Sequence, residues 1–377
     1  MSLDAAILSA INVKSAQLTS DIQDRITVGR IIEFSASMPA DFTVDGMRFL
    51  RAGLIETDTT KFDQNLFPLS VLSALQPRDS SIGYINDLCH SPAGVFVAVG
   101  FTGAVNAKKD DATTWTTSTS GAGNFQSVDS SATAAVGADS AGGIWRWPIS
   151  LGGSSGISAG TSITNPLGTS SGASVAYGNG VFVVTQNNKT ARSVNDGVTF
   201  SAVTNPLPTH TSTNSFVGFG NGQFLFLSNG SAALSSDGAT WTQVAAVSAS
   251  QKPFYANGYW HVQSGNSLYR ANDSALSGWT LIAKLPSTDR VYFDGGKFIQ
   301  MTSSGMFVGE KPSAMVCITP NDLKNDSIVG CVMAKRTNGA WTFISSDGKC
   351  WDGLAVHAGV ANSVTPASGG AKYMRIS

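Results

Sequence analysis

The feature that most constrains this chain is a repeat. Short strand-like segments carrying an aromatic two residues after a glycine recur as Gly94-Val95-Phe96-Val97-Ala98-Val99, Gly180-Val181-Phe182-Val183-Val184, Gly222-Gln223-Phe224-Leu225-Phe226, Gly258-Tyr259-Trp260-His261-Val262 and Gly296-Lys297-Phe298-Ile299. The anchors Phe182, Phe224, Trp260 and Phe298 are 42, 36 and 38 residues apart, and Phe96 precedes Phe182 by 86, twice 43. Three anchors follow the pairs Asn179-Gly180, Asn221-Gly222 and Asn257-Gly258. Asn-Gly is the strongest short hairpin signal, because both residues accept the positive φ that a two-residue turn requires. A period near 40 with several strands in each unit describes a β-propeller or a β-solenoid.

A second signature follows the anchors and selects the propeller. Ser193-Val194-Asn195-Asp196-Gly197-Val198-Thr199-Phe200, Ser235-Ser236-Asp237-Gly238-Ala239-Thr240-Trp241 and Ser345-Ser346-Asp347-Gly348-Lys349-Cys350-Trp351 are three copies of one turn. Lys109 to Trp115 and Asn272 to Trp279 are worn copies. These residues resemble the Asp-box, or BNR repeat, of sialidase-like propellers, which closes the hairpin between a blade's two outer strands. In such a turn the carboxylate accepts from local amides, glycine takes the left-handed corner, and the aromatic folds into the blade, so Trp241 and Trp351 are expected to be buried. The span from 82 to 377 holds about seven such units, six if one interval is a loop. The expected fold is therefore mainly β: a six- or seven-bladed β-propeller over 81–377, preceded by a small α+β region over 1–80. Residues 116–174 are crowded with Ser, Gly and Thr and lack the turn, which leaves a degenerate blade with long loops or a flexible insertion.

Composition agrees with β structure. Only 13% of the 377 residues are charged, while 40 are glycine. Polarity then comes from Ser, Thr, Asn and Gly, which suit pleated strands and tight turns. The first stretch differs: Leu3, Ile7, Ile11, Leu18, Ile22 and Ile26 recur at spacings of four and seven, with Ser2 as N-cap and Asp4 in the first turn. A helix over about 3–25 follows, whose apolar stripe needs a partner elsewhere.

Several function classes are disfavoured. A net charge of −1 and no Lys/Arg run longer than Lys108-Lys109 leave no field to gather nucleic acid. The acid at Asp4 stands where a secretory signal carries a base, and no apolar stretch approaches the ~18 residues that span a bilayer, so neither export by a signal peptide nor membrane insertion is expected. Cys89, Cys317, Cys331 and Cys350 form no CxxC pair and no ligand cluster with the four histidines, which points to structural thiols, no metal and no cofactor. The sialidase resemblance implies an arginine triad, a tyrosine nucleophile with a glutamate partner and an aspartic acid. Here Glu310 is the only glutamate of the propeller span, and the Arg-Ile-Pro signature that opens such domains is missing. No phosphate-binding loop is present, and no catalytic residue is assigned.

A binding surface is the better expectation. Trp145 and Trp147, two residues apart in Ile144-Trp145-Arg146-Trp147-Pro148, share one strand face, and Trp rings stack on sugar C–H surfaces. Tyr259 and His261 flank the anchor Trp260 and point opposite to it. These four are the candidate glycan-binding residues, against the alternative that the rings are blade core.

A capped helix, a short strand-rich collar containing Met38-Pro39-Ala40-Asp41-Phe42 and Arg51-Ala52-Gly53-Leu54-Ile55-Glu56-Thr57-Asp58, and then a Ser/Thr/Gly-rich repeat resemble a bacteriophage tail fibre or related virion tail protein. The resemblance implies a virion location, attachment of residues 1–80 to other tail or baseplate subunits, a trimer or other homo-oligomer, and a propeller that binds a host-surface glycan or outer-membrane protein. A glycan-active hydrolase and a bacterial lectin-like propeller are the alternatives.

Overall fold

A computed structural model describes residues 31–34, 41–44, 47–51, 82–112, 114–119, 123–168, 173–204, 207, 215–294, 296–303, 305–309, 311–317, 332–335, 341–345, 350–354 and 371–375. The helix expected over 3–25 lies outside these residues. The chain divides into two compact units, Met1–Ser73 with Ala355–Ser377, and Ala74–Leu354.

In the first unit Ile31–Phe34, Ala371–Arg375, Met47–Arg51 and Asp41–Val44 form, in that order, one antiparallel sheet. Ile31 pairs with Met374 and Leu50 with Met374 from the other side. Residues 371–375, expected to belong to the propeller span 81–377, are instead the second strand of the sheet built from residues 31–51. A repeat pattern cannot show this, because a strand's partner is chosen by tertiary pairing and not by its own sequence.

The second unit is the propeller. Among the described residues it contains six antiparallel four-stranded blades, each a meander in chain order. Blade 1 is Ile85–Ser91, Val95–Gly100, Ala104–Lys109 and Thr116–Thr119. Blade 2 is Phe125–Ser130, Ala134–Asp139, Ile144–Pro148 and Thr161–Ile163. Blade 3 is Ala173–Gly178, Val181–Gln186, Lys189–Ser193 and Ser201–Val203. Blade 4 is Ser215–Gly220, Gln223–Ser228, Ser231–Ser235 and Thr242–Val244. Blade 5 is Phe254–Ala256, Tyr259–Ser264, Ser267–Ala271 and Trp279–Lys284. Blade 6 is Val291–Asp294, Lys297–Thr302, Gly305–Gly309 and Val316–Cys317. A three-stranded sheet of Val332–Lys335, Trp341–Ile344 and Cys350–Leu354 follows. Val332, Ala334 and Ile344 of that sheet share one apolar cluster with Ile85, Leu88 and Phe96 of blade 1, so the last sheet packs back on the first.

The region 116–174 is thus mostly blade 2. Its extra residues lie between the third and outer strands, where Ile149 bridges to Ile157. The Asn-Gly pairs join first to second strands in blades 3, 4 and 5, with φ of 51° and 76° at Asn179-Gly180 and closely similar values in the other two. Two successive positive φ angles match the right-handed twist of the strands they join.

The core lies between blades. Val136, Ala138 and Ile144 of blade 2 pack on Val175, Phe182 and Val184 of blade 3, and Leu225 and Leu227 of blade 4 on Trp260 and Val262 of blade 5. Second strands are covered on both faces, which is why they read as continuous apolar runs and why every residue of Val95–Gly100 and Val181–Gln186 is buried. Inner strands are further tied by side chains: Val128 N donates to Asp87 (3.0 Å), Val175 N to Ser127 Oγ (2.9 Å) and Val217 N to Ser174 Oγ (3.1 Å).

The outer turn of blade 4 is closed by its own side chains. Asp237 Oδ1 accepts from Ala239 N and Thr240 N, both at 2.8 Å, Gly238 has φ +71°, and Trp241 Nε1 donates to Gly238 O at 3.2 Å. In blade 3 the acceptor is one residue earlier: Asn195 Oδ1 accepts from Thr199 N (3.0 Å), while Asp196 turns toward blade 2. Trp241 is half-buried rather than buried: at the sheet's outer edge it packs on Phe226 and on the cluster that includes Val183 of blade 3, which leaves part of the ring in solvent. The Trp351 side chain lies outside what is described.

Candidate functional site

The four ring residues expected to bind glycan do not form one surface. Trp147 is fully buried, edge-on to Phe125 between blades 1 and 2. His261 is also buried, stacked on Phe254 at 5.2 Å, and burial lowers its pKa to about 4. Both belong to the core, and neither offers a free ring face. His261, expected to be accessible because it points opposite to Trp260, is covered because a second strand has a blade on either side. Trp145 and Tyr259 are half-buried, on blades 2 and 5 respectively, and the Arg270 guanidinium lies 4.5 Å from the Tyr259 ring.

A different site lies where the inner strands begin. A cavity of about 430 Å³ is walled by Asn86 and Asp87 of blade 1, Gln126 of blade 2, Ser174 of blade 3, Phe216 of blade 4 and the entries to blades 5 and 6. The polar tie within it is Asp87. Lys252, just before blade 5, places Nζ 2.5 Å from Asp87 Oδ2, and Arg290, at the entry to blade 6, places Nη1 3.0 Å from Oδ1. Burial by itself would raise the Asp87 carboxyl, but the two cations and the Val128 amide hold it below the ordinary carboxylate range. Burial pushes Asp129, on the same strand as Val128, upward despite Lys252 and the Tyr177 and Ser130 amides. Burial likewise raises the Cys89 thiol, which keeps it unreactive. Among the described residues no group of three or more His, Cys, Asp or Glu could hold a metal ion.

These residues carried a sequence signal that motif reading overlooks. Ser174, Phe216, Lys252 and Arg290 each stand eight residues before the aromatic anchor of their blade, and Asp87 stands nine before Phe96. The extra residue lies in the hairpin, where three residues separate Ser91 from its partner Val95 against two between Gly178 and Val181. One phase of the repeat therefore faces the cavity, and it carries different chemistry in each blade.

One exposed ring lines the cavity and a second packs against it. Phe101 lines it at 46% exposure and meets Tyr84, at 63%, edge-to-face with centroids 6.1 Å apart.

No protein-family model and no curated protein matches the chain by sequence. Solved structures match in fold. YCF48 bound to D1 peptide is 12% identical, with a TM-score of 0.54 over 76% of this chain and 99% of that one. YCF48 from Cyanidioschyzon merolae is 13% identical, with a TM-score of 0.51 over 72% and 95%. The WD40 β-propeller domain of Doa1 is 15% identical, with a TM-score of 0.50 over 74% and 94%. At these identities the likeness establishes a β-propeller and nothing finer.

Proposed function

We propose that this chain is a recognition protein of a bacteriophage tail, whose propeller binds a host-surface glycan or surface protein at the mouth where its inner strands begin. The observation that carries the binding role is the cavity itself: inner strands of successive blades converge there, and one phase of the repeat supplies its wall. One similar propeller, YCF48, is described as bound to D1 peptide. The tail assignment rests on the sequence: an amphipathic leading stripe, a strand-rich collar and a weakly charged repeat. On this reading residues 1–80 dock to other tail or baseplate subunits, three copies assemble, and the turns near Asp196 and Asp237 are Asp-boxes. Genes for a tail tube or baseplate beside this one, and antibody labelling of the tail in purified particles, are the expected results. Labelling absent from particles that contain the chain's gene would remove the tail assignment.

A glycan-active enzyme is the second reading, favoured by one observation: Asp87 and Asp129 are shifted in opposite directions, as in acid/base pairs. Both carboxylates are engaged with the fold, Asp87 with Lys252, Arg290 and the Val128 amide, Asp129 with the Ser130 and Tyr177 amides. We therefore expect no release of reducing ends or sialic acid from host polysaccharide. Turnover abolished by Asp129→Asn would establish the second reading.

A further inference from the structure

We infer that the ligand of the central mouth is an uncharged carbohydrate, stacked on Phe101 and Tyr84 and bonded through side-chain amides of blades 1 and 2. The inference rests on the recognition role proposed above and narrows it to one class of ligand.

Three observations carry it. The first is a pre-built aromatic platform. Thr102 holds φ 58° and ψ 25°, left-handed backbone that a β-branched residue rarely adopts. The strain is held from two sides, by Phe101 N donating to Tyr84 O at 3.1 Å and Thr102 N donating to Asn124 Oδ1 at 2.9 Å. Gly100 lets the segments approach, since a Cβ there would lie 1.7 Å from Tyr84 O. Backbone strain maintained beside a cavity is a mark of function, and here it keeps two large rings in water that burial would otherwise claim.

The second is a set of unspent amides. Asn86 Nδ2 donates to Phe125 O at 2.6 Å, Asn124 Oδ1 accepts from Thr102 N, and Gln126 Oε1 accepts from Ala173 N at 3.0 Å. Each amide fastens one end to the fold. Asn86 Oδ1, Asn124 Nδ2 and Gln126 Nε2 have no partner among the described residues, and all three residues line the cavity. An acceptor and two donors held at fixed positions match vicinal hydroxyls, each of which donates and accepts.

The third is charge. Lys252 and Arg290 both contact Asp87, at 2.5 and 3.0 Å. Each cation is thus already engaged by a buried carboxylate, and neither is left free to pair with an acidic sugar or a polyanion.

The test uses the full-length protein and saturation-transfer NMR with the methyl α-glycosides of glucose, galactose and mannose, beside methyl glucuronide as the charged probe. Transfer to the ring protons of at least one neutral glycoside is expected, unchanged when the salt concentration is raised about tenfold. Phe101→Ala and Tyr84→Ala should each weaken it about tenfold, Phe101→Trp should retain it, and since both rings are exposed the fold should survive in all three. No transfer to any neutral glycoside, transfer indifferent to Phe101→Ala, or transfer to the glucuronide alone would overturn the inference. If the protein adsorbs to bacterial cells through Phe101 yet takes up no neutral glycoside, the carbohydrate assignment falls and the recognition site stands. If it takes up a glycoside but adsorbs to no cell, host attachment falls and the carbohydrate site stands.

Discussion

Arg146 Nε donates to the main-chain oxygen of Asp196 at 2.8 Å, joining the third strand of blade 2 to the outer turn of blade 3. Arg192 makes the equivalent bond one blade further on, from Nη1 to Asp237 O at 3.0 Å. The glycine that follows each aspartate is packed against the preceding blade. A Cβ on Gly197 would lie 2.6 Å from Val136 Cγ2, and one on Gly238 would lie 2.6 Å from Val183 Cγ2. The outer turns thus do two things: they close their own blade and press on the one before.

Gly238→Ala should therefore destabilise the protein by about 3 kcal/mol, combining the cost of left-handed backbone with that of overpacking. Urea unfolding measures it. Gly222→Ala is the control, because φ there is +73° with nothing within 4 Å of the added methyl, so only the backbone part should appear.

Trp241→Ala should cost about 2 kcal/mol, less than the ~3–5 typical of a fully buried ring, because Trp241 is only half-buried where it packs on Phe226 and the neighbouring clusters. Trp147→Ala, at 0% exposure, should reach the full range. Thermal midpoints that rank the two variants in the opposite order would refute this account of the blade edge.

His261 connects stability to pH. Burial, with a smaller effect from Arg270, lowers its pKa to about 4 against the Tyr259 carbonyl contact, which favours the charged form. A base with a depressed folded pKa stabilises fully above its unfolded value of about 6.5, and that contribution fades as pH falls toward 4. Stability should drop by roughly 3 kcal/mol across this window, and His261→Phe should flatten the profile. An unchanged profile in the variant would show that another group titrates.

Asp87→Ala should cost about 3–5 kcal/mol, since it leaves Lys252 and Arg290 as uncompensated charges in the mouth. Its carboxyl is held below the ordinary range, so the stability it supplies is present above about pH 4 and lost as pH falls further. Acid unfolding of the parent below pH 4 should therefore be steeper than that of Asp87→Asn. Equal slopes would remove Asp87 as the central tie.

The propeller was legible before any coordinates because its causes are local. Asn-Gly turns demand two positive φ angles, apolar runs such as Val95 to Val99 demand cover on both faces, and a 40-residue period demands one sheet per unit. What tertiary structure decided was which residues share space. Ala371–Arg375 joins the sheet of residues 31–51 through pairings that no local pattern encodes. His261 and Trp147 entered the core because alternation along a strand separates two faces but says nothing about whether a neighbouring blade covers the second. Asp87, Lys252 and Arg290 lie 165 and 203 residues apart and meet only because closing a ring brings the starts of its inner strands to one mouth.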